Sequence, residues 1–301
     1  MDRGGAIRAA HSVVKSSPTT LPLVAILLSA LSAAACGGSE PGNTAERSGI
    51  VSDTTQVDGA QRAAEIAVAD GYRGPTVGAA KGFAALAQTG ISARSASPVT
   101  GNLGVSGAPV SSITGFDTVP ALRFGTDSSA PNGSRTILTQ REVDSTVDDI
   151  DVRACDADYQ ALTRDATGAL TLHPGVTCLN DSAADLLVTG HLTLDAGGDP
   201  NAFFVIRSSH TLTVADGTVV ELSNGAQACS VFWRVTQQAT IGRGVEFYGN
   251  VIAGTGIDMR SGSTLVGRAL AQTAGVELDG NSITIPIYDA SGSASGCTHS
   301  Q

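Results

Sequence analysis

Apolar residues in this chain arrive in short triplets with a polar residue at the centre. From Val77 to Pro286 these triplets are separated by Gly, Ser, Thr and Asn. A period of two marks a β-strand with one face buried. In the C-terminal part the triplets also repeat as a block. Written from Thr236, the sequence runs TQQATIGRGVEFYGNVIA, then GTGIDMRSGSTLVGRALA, then QTAGVELDGNSITIP. Gly244, Gly262 and Gly280 fall in register at a spacing of 18, Gly249 matches Gly267, and Phe247 matches Leu265 and Ile283. The third copy is shifted by one residue around Val276. Looser relatives lie upstream in HLTLDAGG (191–198) and TLTVADGT (211–218). About three short strands and Gly turns per 18 residues is what one coil of a β-helix requires, and a coil buries its inward residues only by stacking on another. A β-sandwich would account for evenly spaced strands but not for this register.

One segment breaks the pattern. From Thr139 to about Ala166 the chain is rich in charge and lacks Gly and Pro. Thr139 and Glu142 form a T-x-x-E capping box. Val143, Val147, Ile150, Ala154, Ala157 and Ala161 then recur at spacings of four and three, which predicts a helix over about 140–166 with Asp144, Asp148 and Asp149 turned to water. Gly168 would stop it. About 27 residues at 1.5 Å each give a rod of roughly 40 Å, the height of about eight stacked strand spacings.

The two ends differ from this core. Residues 1–35 carry Arg3, Arg8 and Lys15 ahead of an apolar run, Leu21 to Ala35, that ends in Ala33-Ala34-Ala35-Cys36. The run is shorter than the roughly 20 residues a transmembrane helix needs, and small residues before a Cys have the form of a bacterial lipobox. Cys36 is therefore expected to be lipidated on an exported protein, held at the outer membrane or cell surface; Ala33 stands where lipoboxes usually carry Leu. Cleavage without acylation would instead give a secreted protein. Residues 36–75 are expected to be a flexible tether with a short helical patch near 60–69, 76–290 the folded domain, and 291–301 a polar tail.

Composition narrows the function. The chain has 36 Gly in 301 residues and only 4% aromatics, a profile for tight turns rather than for a large α/β enzyme. Loss of residues 1–35 removes Arg3, Arg8, Lys15 and Asp2, leaving 15 basic against 27 acidic residues and a net charge of −12. Such a surface repels nucleic acid. With Cys36 acylated, Cys155, Cys178, Cys229 and Cys297 remain, and two disulfides are expected in an oxidising compartment. Three connectivities are open, of which Cys155–Cys178 with Cys229–Cys297 is preferred. No CxxC pair or Cys/His spacing points to a metal.

The stretches GNLGVSG (101–107) with SSITGF (111–116), LTLDAGGDPNAFFVIRSSHTLTVADGTVVELSNGAQACSVFWRV (192–235) and GNVIAGTGIDMRSGSTLVGRALAQTAGVELDGNSI (249–283) resemble the ice-binding-protein-like family of bacteria and microbial eukaryotes. The likeness spans about Phe83 to Pro286. It implies a mostly β fold: a discontinuous right-handed β-solenoid of triangular cross-section with one long α-helix packed alongside. It also implies adsorption to ice, slowing growth or recrystallisation, without catalysis or cofactor; the protein itself is expected to be a monomer.

Ice adsorption needs a flat, rigid, weakly charged array. Thr supplies a hydroxyl and a methyl in few rotamers, whereas a charged side chain keeps its own hydration and loses up to about 1.5–2 kcal/mol of rotamer entropy when fixed. The outward column, taken from the middle of each triplet, is expected to be Thr193, Thr213, Thr240, Asp258 and Glu277, flanked by Thr189 and Thr211. The candidate ice-facing residues are thus Thr189, Thr193, Thr211, Thr213 and Thr240, although exposed Thr is also an ordinary strand residue. Arg243 and Arg260 lie near the two carboxylates. Two other readings are open. Asp258, Arg260, Glu277 and Arg268 could line a saccharide-cleaving groove, but no nucleophile elbow, metal cluster or converging His accompanies them. An anchored adhesion or structural module could instead bind glycans or neighbouring cells without touching ice. Asp195, Asp199 and Asn201 fit turn capping better than a calcium loop.

Overall fold

The computed structural model describes residues 73–116, 121–129, 132–159, 169–179, 185–199 and 201–286. The signal and lipobox residues, the helical patch near 60–69, Cys297 and the polar tail lie outside them.

Strands pair in parallel and form three faces. One face runs, in spatial order, through Arg123–Phe124, Asn102–Val105, Phe83–Ala87, the second halves of Thr264–Ala271 and Glu246–Ala253, then Val231–Val235, Phe204–Ser208, Gly175–Leu179 and Ala157–Tyr159. A helix, α1 (Asn132–Val152), covers this face. A second face, termed the front sheet, runs Leu186–Val188, Leu212–Val214, Ala239–Ile241, Ile257–Met259, Val276–Leu278, Ile91–Ala93 and Ile113–Thr114. The third, the side sheet, joins Ala169–Leu172, His191–Asp195, Val219–Ser223, the first halves of Glu246–Ala253 and Thr264–Ala271, Ser282–Thr284 and Val99–Thr100. The chain visits the helix-covered, front and side faces in turn, so each circuit is one coil of a triangular β-solenoid.

The stack does not follow chain order. Coils from 83–124 form one end; α1 then carries the chain back along the stack, and coils climb from Ala157 until Thr264–Ala271 docks on Phe83–Ala87. Val276–Leu278 likewise meets Ile91–Ala93, and Ser282–Thr284 meets Val99–Thr100. This is the discontinuity that the family resemblance implies.

Two cores hold the structure together. Inside the triangle, alternate residues of each strand meet, as where Trp233 packs on Phe247 with ring centroids 4.8 Å apart. Between α1 and its sheet lies a second layer of Phe83, Leu86, Phe124, Val143, Val147, Ile150, Val205, Phe232, Ile252 and Leu270. Strands of this face are therefore buried on both sides, and all five residues of VFWRV (231–235) are buried, Arg234 included. Where two strands bend from the side sheet to the helix-covered one, Gly249 (φ 114°) stacks on Gly267. A Cβ on Gly267 would stand 1.8 Å from Gly249 O, so the corner admits no side chain. Beside it, buried Arg268 donates to Asn250 Oδ1 (2.9 Å) and Lys81 O (2.7 Å).

The helix differs from its prediction. It spans 132–152, about 31 Å at 1.5 Å per residue, rather than 140–166. Thr139 is no cap: it lies mid-helix, fully buried, its hydroxyl without a partner. Val143, Val147 and Ile150 do form the buried stripe, but Thr136, Thr139, Gln140 and Thr146 extend it with polar residues that an apolar periodicity passes over. Ala154 is exposed beyond the helix and Ala157 begins a strand; Ala161 and Gly168 lie outside the described residues. Tertiary contacts end α1. Arg207 Nη1 donates to the carbonyls of Ile150 (2.9 Å) and Asp151 (2.8 Å), and Cys155 is bonded to Cys178 across the sheet. Cys229 is disulfide-bonded too; its expected partner Cys297 is outside the described residues.

Candidate functional site

The front sheet presents one outward row, set by its parallel register: Leu187, Thr213, Thr240, Asp258, Glu277, Ser92 and Thr114. Their neighbours Leu186 and Val188, Leu212 and Val214, Ala239 and Ile241, Ile257 and Met259 are buried, so the backbone beneath the row is fixed by the interior core. Successive rungs of such a ladder lie about 4.7–4.9 Å apart. Thr211 and Thr189 flank the row on the same sheet: Thr211 O accepts the Leu186 N–H (2.8 Å), and Thr189 follows Val188.

Thr193 is not in this row. It projects from the side sheet between Thr171 and Glu221. The sequence motifs HLTLD and TLTVAD look equivalent, but the coil from Gly175 has its front strand earlier, in LLV (186–188), so HLTLD is the third strand of its coil rather than the second. Ser92, Thr114 and Leu187 complete the row and were missing from the sequence reading. Ser92 is the centre of an apolar–polar–apolar ISA triplet, a local signal present in the sequence, while Thr114 stands between Ile113 and Gly115; their place beyond Glu277 depends on the first coils stacking on the last.

The row has two halves. Leu187, Thr213 and Thr240 are uncharged, and Asp185 stands at their edge with its Oδ1 accepting the Thr211 N–H (3.3 Å). The next rungs carry Asp258, Arg260, Glu277, Asp279 and Arg94, and these with Arg243 line a shallow polar groove. Arg94 Nη2 donates to Glu277 Oε2 at 2.8 Å, both side chains more than half exposed, a pairing of small energetic value. Arg268, considered as a third member of a catalytic groove, is instead buried at the helix-covered corner and does not face Asp258 or Glu277. No group of three or more His, Cys, Asp or Glu among the described residues is arranged to hold a metal ion.

The side sheet has its own polar pairs. His191 Nε2 lies 3.0 Å from Glu221 Oε2. Tyr248 donates to Glu246 Oε1 at 2.6 Å; burial, reinforced by that carboxylate, pushes its phenol well above the ordinary range. Asp195 caps its turn as expected. The Gly197 N–H and then the Asn224 amide, each 2.8 Å away, hold its carboxyl below the usual value. Asp199 likewise accepts the Asn201 N–H at 2.8 Å.

Comparison with known proteins agrees with this geometry. The sequence profile of the ice-binding-like family matches residues 85–284. An ice-binding protein of Nostoc sp. is 37% identical over 213 residues, 70% of this chain and 74% of the relative. One from Flavobacterium frigoris is 29% identical over 222 residues, 70% of this chain and 76% of that protein. Among solved structures, an ice-binding protein from an Antarctic biological consortium superposes with a TM-score of 0.62 at 33% identity, covering 72% of this chain and 93% of the other. The Shewanella frigidimarina ice-binding protein domain gives 0.64 at 27% identity, with 71% and 98% covered. With a triangular solenoid, a helix along one side and a profile match across the whole described stack, the chain belongs to the ice-binding-like family.

Proposed function

We propose that this protein adsorbs to ice through the front sheet and slows crystal growth and recrystallisation, as a monomer without catalysis. The observation that carries the reading is Thr213 and Thr240 in register on adjacent parallel rungs, with Thr211 and Thr189 on the same face. Parallel pairing fixes their spacing, β-branching restricts their rotamers, and the core beneath keeps the sheet from flexing. Hydroxyls can then anchor ordered water while methyls limit competing hydration. Asp258, Glu277 and Arg260 hold their own hydration, so contact is confined to the Thr half.

The test is thermal hysteresis and recrystallisation inhibition of the chain from residue 37 onward. Thr213→Tyr with Thr240→Tyr should remove most of either activity while leaving thermal unfolding within about 1 kcal/mol, as expected of partly exposed sites. Unchanged activity in a folded double variant would place ice contact elsewhere. The charged half of the sheet supports a second reading, a saccharide-binding adhesion module; glycan-array binding without ice shaping would favour it. The Ala-Ala-Ala-Cys run supports export with lipid on Cys36, which mass spectrometry of a membrane fraction tests.

A further inference from the structure

Residues 73–77 fix where the chain joins the solenoid. Arg153 Nη1 donates to Arg73 O at 2.8 Å, and Thr146 Oγ1 donates to Thr76 O at 2.7 Å. Val77 is buried in the layer under α1, and the Ala79 N–H is taken by Glu142 Oε2. Each of these partners belongs to α1 or to the residue just past its end. The chain therefore joins the domain alongside the helix, on the covered face. The front sheet lies on another face of the triangle, and residues 73–77 do not cross it. Leu187, Thr213 and Thr240 in its row are uncharged, Leu187 is half exposed, and the nearest carboxylate, Asp185, sits at the edge on the Thr211 N–H (3.3 Å).

Thirty-six residues, 37–72, separate Cys36 from Arg73. At 3.3–3.6 Å per residue they span at most roughly 120–130 Å. A lipid on Cys36 would thus pull on the domain from its helix side, where Arg73 joins it, and not from the face that carries Thr213 and Thr240.

We propose that the protein fastens the cell bearing it to ice, with membrane attachment and crystal contact placed on different faces of one rigid wedge; this rests on the ice-binding reading above. In the attachment step the Cys36 sulfur forms a thioether to a glycerol carbon of a membrane phospholipid. The phosphate headgroup leaves and takes up the thiol proton, so two acyl chains are gained, enough for stable anchoring where a single chain is marginal. Display on a membrane also suits the front sheet. Its uncharged stretch covers only part of the row, so one molecule adsorbs weakly. Many copies on one cell act at high effective concentration, which can raise overall avidity by about 10²–10⁴-fold.

The experiment displays the full chain on a bacterial host and grows ice slowly into the suspension, counting cells retained in the ice and in the liquid. Wild-type cells should be retained about tenfold or more over vector-only cells, a small part of the avidity gain. Cells making Cys36→Ala should fall to the vector level, while their medium shows thermal hysteresis. Cells displaying Thr213→Tyr with Thr240→Tyr, checked for surface level by antibody, should also fall to that level. Wild-type retention at the vector level, alongside active Cys36→Ala medium, overturns attachment and leaves ice binding standing. Folded Cys36→Ala protein without hysteresis overturns the ice reading, and attachment with it. Retention undiminished in Cys36→Ala, or a membrane fraction without acylated Cys36, overturns the anchoring.

Discussion

Single residues decide whether the front sheet is an ice surface along its whole length. Asp258 and Glu277 interrupt a row that otherwise runs through Thr213, Thr240, Ser92 and Thr114. Replacing Asp258 and Glu277 with Thr and Arg94 with Ser together should extend the hydroxyl row and raise thermal hysteresis severalfold. The exposed Arg94–Glu277 pair contributes about 0–1 kcal/mol, so stability should barely move. No rise in hysteresis would mean that the charged half never meets the crystal. On the side sheet, Asp195 gives a pH-dependent contribution of definite sign. Its folded pKa is depressed below 3.8 by the Gly197 and Asn224 donors, so the stabilisation is complete above that value. It is lost as pH falls through the lower, folded pKa. Asp195→Asn should therefore narrow the difference in urea midpoint between pH 7 and pH 2.5 relative to wild type.

At the scale of elements, the helix shows what packing adds to periodicity. Its acidic residues, Asp148, Asp149 and Asp151, crowd the C-terminal end, where the helix dipole disfavours them. Three arginines offset this: Arg153 on Asp149 (2.8 Å), Arg234 on Asp151 (3.3 Å), and Arg207 on the last carbonyls. Arg207 also reaches Cys178 Sγ (3.1 Å) and Cys155 Sγ (3.2 Å), so one side chain ties helix end, disulfide and sheet together. Arg207→Ala leaves the part-buried Ile150 carbonyl and disulfide sulfurs without their donor and should cost about 1–2 kcal/mol in thermal or urea unfolding. A loss below about 0.5 kcal/mol, the range of an ordinary surface change, would show that water replaces it.

At the scale of the whole molecule, the order of stacking makes the solenoid less modular than a simple repeat array. The coil of Phe83–Ala87, Ile91–Ala93 and Val99–Thr100 closes over the last coil of the chain, and contacts between residues nearly 190 positions apart hold the junction. Removing residues 73–130 would uncover the edges of Thr264–Ala271, Val276–Leu278 and Ser282–Thr284 at once. Such a truncation should aggregate or unfold, since an unpaired parallel edge recruits other chains. A soluble monomer with a cooperative melt would show that the coils from 157 to 286 suffice by themselves.

The sequence alone determined the coil. Triplet alternation and glycines spaced by 18 dictate strands with one face inward and turns that need little room, and both are local properties of the chain. The apolar part of the helix stripe and the Thr213–Thr240–Asp258–Glu277 order were legible for the same reason, whereas Cys155–Cys178 was the preferred one of pairings that the sequence left open. Tertiary structure decided the rest. Where α1 begins and ends depends on polar residues buried under it and on Arg207 arriving from a distant strand. Thr193 left the candidate face because similar triplets can occupy different sides of a coil, and only stacking fixes which. Ser92 and Thr114 joined that face because the first coils pair with the last, a contact between segments nearly the whole domain apart that no local pattern encodes.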